Sequence, residues 1–161
     1  MTNYFEDFVI GERAEIGSHR FTREDILSFA ERFDPQRFHV DEELAKESLF
    51  GGLCASGWHT ACVWMRLMAA HRAAVADKIE ASGEPPARRG PSPGIRELKW
   101  LKPVYVNDVI SYRSTPQEKI ELGSKPDWGL LLTLNEGENQ NGELVISFLG
   151  QLFVERRPPG G

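Results

Sequence analysis

The chain reads as an α+β domain in which an antiparallel sheet curls around one long central helix, and three observations predict this. First, its 161 residues suit one domain, long enough to withdraw roughly 70% of the extended-chain surface from water on folding. Second, Thr60 to Val75 is apolar on nearly every side (Ala61, Cys62, Val63, Trp64, Met65, Leu67, Met68), the mark of a helix wrapped by other structure. Third, the C-terminal half carries strand-like runs separated by Asn/Gly-rich turns and few helix signals; consecutive strands joined by hairpin-like loops pair antiparallel.

The elements follow in order. Phe8 to Glu12 and Ala14 to Phe21 read as an extended entrance with a glycine turn. Thr22 is an N-cap with Asp25 three residues on, and Ile26, Phe29, Ala30 and Phe33 form an apolar stripe on the helix that Asp34-Pro35 ends. Asp41 to Glu47 predicts a short polar helix. The long helix starts near Ser56-Gly57 and, if it runs to residue 77, is roughly 30 Å long. Past a Pro/Gly/Arg loop at Ser82 to Gly94, strands are predicted over Glu97 to Lys102, Val109 to Ser114, Gly129 to Asn135 and Leu144 to Glu155, with turns at Gly123 to Asp127 and Glu136 to Gly142. Residues 1–161 form a single domain in this reading, with a frayed tail from Arg156 to Gly161.

Composition narrows the function classes. A net charge of −5 and a pI near 5.4 argue against nucleic acid as a partner. The acidic start, Met1 to Asp7, lacks the basic-then-apolar progression of a signal peptide. His59, Arg66, His71 and Arg72 interrupt the most hydrophobic stretch, which argues against a membrane span. A cytoplasmic protein is the expectation, with Cys54 and Cys62 as reduced core residues. No metal set is apparent: His59 and Cys62 share a helix face but lack a third ligand at plausible spacing, so packing is their expected role. Trp58, Trp64 and Met65 read as core, and His19 and His71 as surface residues without an assigned job.

The chemistry concentrates in Phe33-Asp34-Pro35-Gln36-Arg37-Phe38-His39 and Gly51-Gly52-Leu53-Cys54-Ala55-Ser56-Gly57-Trp58-His59. Proline after Asp34 disfavours helical geometry there, so Asp34 and His39 are expected on irregular chain that aims both side chains at one point. A carboxylate and an imidazole then share a pocket as proton carriers of different pKa. Ser56 and Gly57 open the long helix, whose unpaired N–H groups and positive dipole end suit a developing oxyanion. Each feature also has a plainer structural reading: Asp34 as a helix stop or Asx turn, His39 as a loop histidine, Ser56-Gly57 as an N-cap and turn. Arg88-Arg89 is either a solvated stretch of loop or a phosphate contact.

These residues resemble the MaoC-like dehydratases, relatives of (R)-specific enoyl-CoA hydratases with a D-x-N-P-x-H motif. Asp34 and His39 occupy its first and last positions; Gly57 matches the glycine opening the central helix; and Trp100-Leu101-Lys102-Pro103-Val104-Tyr105-Val106-Asn107-Asp108 resembles the K-P-V-x-x-G-D strand and turn. Gln36 stands at the motif's Asn and Arg37 at its Pro. Gln36 keeps an amide that can hydrogen-bond within the loop, and Arg37 is expected to point outward, since turned inward its charge would depress the histidine's pKa. Asn107 replaces a turn glycine and tolerates left-handed backbone.

The resemblance implies a hotdog fold and a lyase that hydrates a trans-2-enoyl thioester to an (R)-3-hydroxyacyl thioester, or reverses this. It assigns Asp34 and His39 as catalytic, with His39 as the C2 proton donor, and Gly57 with Ser56 as the oxyanion and substrate-binding corner. No metal or redox cofactor is implied, since CoA or a carrier arm belongs to the substrate, and a CoA phosphate contact becomes a role for Arg88 and Arg89. It further implies a homodimer with the pocket at its interface, which also fits the exposed edge strand that one sheet around one helix leaves. Two alternatives stand beside the hydratase. A hotdog thioesterase would use a carboxylate on or near the central helix, yet no acid occurs between Leu49 and Met68. A non-catalytic acyl-thioester binding module would bind CoA ligands without turnover.

Overall fold

A computed structural model describes residues 2–158. Strands β1 (Ala14–Arg20), β2 (Ile95–Trp100), β3 (Val109–Glu121), β4 (Trp128–Glu138) and β5 (Leu144–Glu155) form one antiparallel sheet in the order β1-β3-β4-β5-β2. Helices α1 (Arg23–Phe33), α2 (Arg37–Val40), α3 (Glu42–Lys46) and α4 (Gly57–Ala81) precede β2, and a 3-10 turn at Phe5–Asp7 opens the chain. The predicted hairpins β3-β4-β5 are present, while β2 crosses to pair with β5 and so lies at the sheet's far edge.

Local signals act as their chemistry requires. The Thr22 side chain accepts the Asp25 amide at the start of α1, and Asp41 caps α3 through the amides of Glu43 and Leu44. Asn107 adopts φ 70°, the left-handed backbone expected where the resembling pattern has glycine. Pro116, which has no N–H to give a ladder, falls at the β3 bulge opposite β4. β3 and β4 run longer than their apolar cores suggest, because ladder pairing continues through the polar residues between Thr115 and Glu121.

Helix α4 holds the largest corrections. It continues to Ala81, giving 25 residues and a length of about 38 Å, because no breaker appears before Gly83. Its buried side, His59, Thr60, Val63, Trp64, Met68 and Ile79, lies on the sheet; Trp64 meets Phe148 edge-to-face at 4.7 Å, and the Tyr112 hydroxyl donates to the Thr60 carbonyl at 3.0 Å. The opposite side is not enclosed by this chain. Trp58 and Met65, expected in the core, are 53% and 51% exposed, and Cys62 is exposed between them. These positions recur at helical spacing, so an all-round apolar pattern here means a second apolar face and not a wrapped rod. Phe33 likewise ends α1 exposed, beyond the packed part of its stripe.

The ends differ too from expectation. Arg156 and Arg157, read as frayed, bind Glu6 and Asp7, tying these two segments together; Pro158 is exposed and outside any element, and residues 159–161 of the expected tail lie outside the described residues. Loop 82–94 is not free either: Arg89 bridges to Val154 beside β5. Among the described residues, no helix is long and apolar enough to cross a membrane.

Candidate functional site

Asp34 and His39 converge. Asp34, the C-cap of α1, has φ −152° and ψ 68°, non-helical backbone of the kind its proline neighbour favours. His39 sits not on irregular chain but on the single-turn helix α2 that follows Gln36; that turn swings the imidazole inward until it is 5% exposed. His39 Nε2 lies 3.6 Å from Asp34 Oδ2. This is too long for a direct hydrogen bond and too short for a water to sit between the two groups, but one water lying beside both could reach each of them.

The surroundings fix the state of each group. His39 Nδ1 lies 2.7 Å from the Cys54 carbonyl oxygen, which can only accept, so Nδ1 carries a proton. In the neutral ring Nε2 is therefore an unprotonated acceptor facing Asp34. Burial pushes the Asp34 pKa up, but hydrogen bonds from Ser56 Oγ (2.6 Å) and Gln36 Nε2 (2.8 Å), joined by the attraction of His39 when its ring is protonated, bring it below the ordinary carboxylate range. Asp34 thus stays an anion with one side left for a ligand.

Asp34, His39 and Gly57 line one cavity of about 460 Å3, shared with Trp58, Trp100 and Val104. A Cβ on Gly57 would stand 2.4 Å from Trp100 Cε2, so only glycine lets the indole cover the helix start. The Gly57 amide heads α4, where the N–H groups have no helical carbonyl to bond. Ser56 departs from its expected substrate contact: its hydroxyl proton goes to Asp34, and its oxygen accepts the Trp58 amide at 3.2 Å. Its chemistry is spent on holding the carboxylate.

Other sequence-singled residues lie elsewhere. Arg37 is exposed, as expected. Arg88 is ion-paired with Glu155 at 2.7 Å, and Arg89 lines a different cavity, so neither is brought to the Asp34 pocket. Cys54 is buried beside His39 and its thiol is pushed up to about 11 by burial, which leaves it a poor nucleophile. Cys62, on the exposed face, is not the core residue anticipated. His59 is buried against Phe29, its ring stacked at 4.5 Å. His19 is only half exposed, held between Asp25 and Arg66, and His71 borders the second cavity. Among the described residues, no cluster of three or more His, Cys, Asp or Glu side chains is arranged to hold a metal ion.

Sequence reasoning missed Trp100 as the cover over Gly57 and the Cys54 carbonyl as the group that sets the histidine tautomer. The first had a signal in the tryptophan of the Trp100-Leu101-Lys102-Pro103 run. The second had none, since any residue supplies a carbonyl.

Comparisons with known proteins agree with this fold. Residues 8–127 match the family model described as MaoC like domain. The uncharacterized protein YdeM of Bacillus subtilis is 31% identical over 153 residues, 92% of this chain and 95% of that protein. The crystal structure of a MaoC-like dehydratase from Rhodospirillum rubrum superposes with a TM-score of 0.79 at 36% identity, covering 98% of this chain and 99% of that one. The R-hydratase PhaJ1 of Pseudomonas aeruginosa, at 18% identity and a TM-score of 0.64 over 96% of this chain and 88% of its own, shares the fold.

Proposed function

We propose, for a chain that belongs to the MaoC-like domain family, that it adds water to a trans-2-enoyl thioester to give an (R)-3-hydroxyacyl thioester, or catalyses the reverse dehydration. The observation that carries this reading is the 3.6 Å approach of His39 Nε2 to Asp34 Oδ2 on a cavity that Gly57 also lines. A water that lies beside both groups and bonds to each is poised over one face of a bound alkene.

In the hydration direction, the water oxygen bonds to C3 as His39 Nε2 takes one of its protons and Asp34 accepts from the other. The C2–C3 π electrons move onto the thioester carbonyl as an enolate, whose oxygen accepts from the Gly57 amide. The imidazolium, stabilised by the Asp34 anion, then delivers the proton to C2. One water is consumed and both of its parts are retained in product. Ser56 and Gln36 act as positioning residues through Asp34.

The pocket lies beside exposed Trp58, Trp100 and Leu101, with the β2 edge strand next to them. An apolar surface continuous with an unpaired edge supports a homodimer that covers the pocket mouth. Acyl-CoA as substrate supports residence in the cytoplasm.

Crotonyl-CoA tests the reaction. Loss of enoyl absorbance with accumulation of the (R)-3-hydroxy thioester and no free thiol is the expected result. Thiol release without hydration would replace the reading with a thioesterase, and binding with neither signal would replace it with an acyl-thioester binding module.

A further inference from the structure

A second cavity, of about 270 Å3, lies along the distal half of α4 and shares no lining residue with the Asp34–His39 pocket. Its body is apolar: Met68, Val75 and Ile79 from α4 face Leu131 and Leu152 from the sheet. The N-terminal segment is fastened over it, with Asn3 bonded to the Pro85 carbonyl at 3.1 Å and to the Ala87 amide at 2.7 Å.

Three arginines interrupt this apolar lining, and two of them, Arg72 from α4 and Arg89 from the loop before β2, have no carboxylate ion-paired with them among the described residues. Burial lowers the pKa of both; for Arg72 it is the one influence of note, and for Arg89 it is followed by repulsion from Arg72. Among the described residues, no carboxylate is ion-paired with either. Arg89 bonds to the Ala87 carbonyl at 3.4 Å and lies over the Phe8 ring. The nearest acids are engaged elsewhere, Asp7 with Arg157 and Glu155 with Arg88, while Arg13 at the rim pairs with Glu15 and Glu12 borders the cavity without reaching either arginine. Two partly buried guanidinium groups on one largely apolar cavity, neither ion-paired with a carboxylate although Asp7 and Glu155 attract Arg89 from their own ion pairs, suit an anionic head group.

We propose that this cavity binds a small amphiphilic carboxylate, its head bridging Arg72 and Arg89 and its hydrocarbon tail lying between α4 and the sheet. The size fits a medium-length straight-chain acid, since a dry apolar cavity of ~150 Å3 already admits benzene. Guanidinium groups match a carboxylate bidentately, which a bare anion site on lysines would not require. The site is independent of the hydration chemistry and stands whether or not that reading holds.

Calorimetric titration of the full chain with octanoate tests it. One molecule bound per chain is expected, with affinity falling at least tenfold in Arg72→Met and in Arg89→Met. Ala76→Phe, which fills the cavity and keeps both arginines, should abolish binding, and Asp34→Asn should leave it unchanged. Octanol, with the same tail and no charge, and inorganic phosphate, with charge and no tail, should each bind at least tenfold more weakly. Absence of octanoate binding to the parent chain overturns the proposal, as does octanol or phosphate binding as tightly. So does binding that survives Ala76→Phe or is lost in Asp34→Asn. If an arginine variant fails to fold, the Ala76→Phe titration and the ligand comparison still decide.

Discussion

Ser56 Oγ stands 2.6 Å from Asp34 Oδ2, and the same oxygen accepts the Trp58 amide at 3.2 Å. One hydroxyl therefore caps the long helix α4 and aims the carboxylate that ends α1. Stability and proton chemistry are joined at this atom, and variants can separate them.

Ser56→Ala removes both bonds. Loss of the cap should lower stability by about 1 kcal/mol in denaturant unfolding. In a crotonyl-CoA assay kcat should fall about tenfold with KM little changed, because Asp34 loses its orientation and its pKa rises toward the ordinary value. Ser56→Thr, which keeps the hydroxyl, should recover most of both.

Asp34→Asn and His39→Ala each remove a positioned proton carrier, and each should lower kcat by about 10² to 10⁴. Folding should persist, as followed by circular dichroism. A loss below about tenfold at either position would remove that residue from the mechanism.

Gly57→Ala places a Cβ against the Trp100 indole, 2.4 Å from Cε2. Overpacking of this kind costs about 1 to 3 kcal/mol. Adding Trp100→Ala should restore most of that stability in thermal melts while the pocket, now uncovered, stays impaired in turnover.

His59 is buried with its Nδ1 unpartnered among the described residues, and burial brings its pKa from 6.5 to about 4. His19 and Arg66 repel its proton and Asp25 attracts it, while Phe29 and Phe21 pack on the ring. Between these two values the unfolded chain binds more protons than the folded one, so stability is full above about pH 6.5 and is lost as pH falls toward 4. The loss from this residue should be roughly 3 kcal/mol. His59→Phe should remove that share of the pH dependence, read as a flatter acid limb in urea titrations from pH 7 to pH 4.

Light scattering should give the mass of a dimer. Ile95→Lys, a charge on the 48%-exposed residue that opens edge strand β2, should shift the protein to monomer and reduce turnover with it. An active monomer would contradict an interface at the pocket mouth.

Much of this architecture is local chemistry. Asp34-Pro35 ends α1 because proline both lacks a donor and restricts its predecessor, Ser56 caps α4 because its side chain can bond an amide two residues on, and Leu144 to Glu155 forms the strand its alternation predicts. That Asp34 and His39 come together was legible from the short turn between them, the glycine that opens α4 and the resemblance to the D-x-N-P-x-H motif.

Three-dimensional packing decided what local pattern left open. An apolar residue on α4 reads the same whether its neighbour is this chain's sheet or nothing in the chain, so the exposure of Trp58, Cys62 and Met65 could be seen only once the sheet lay on the opposite face. Arg72 and Arg89 are 17 positions apart, and nothing in their surroundings along the chain marks them as a pair. The histidine tautomer depends on a carbonyl 15 residues away. The sequence by itself determined most of the elements, their caps and the nearness of Asp34 to His39, because those rest on contacts within a few residues; the free helix face, the proton's position on His39 and the arginine cavity were decided by tertiary structure, because each depends on groups that meet only when distant segments pack.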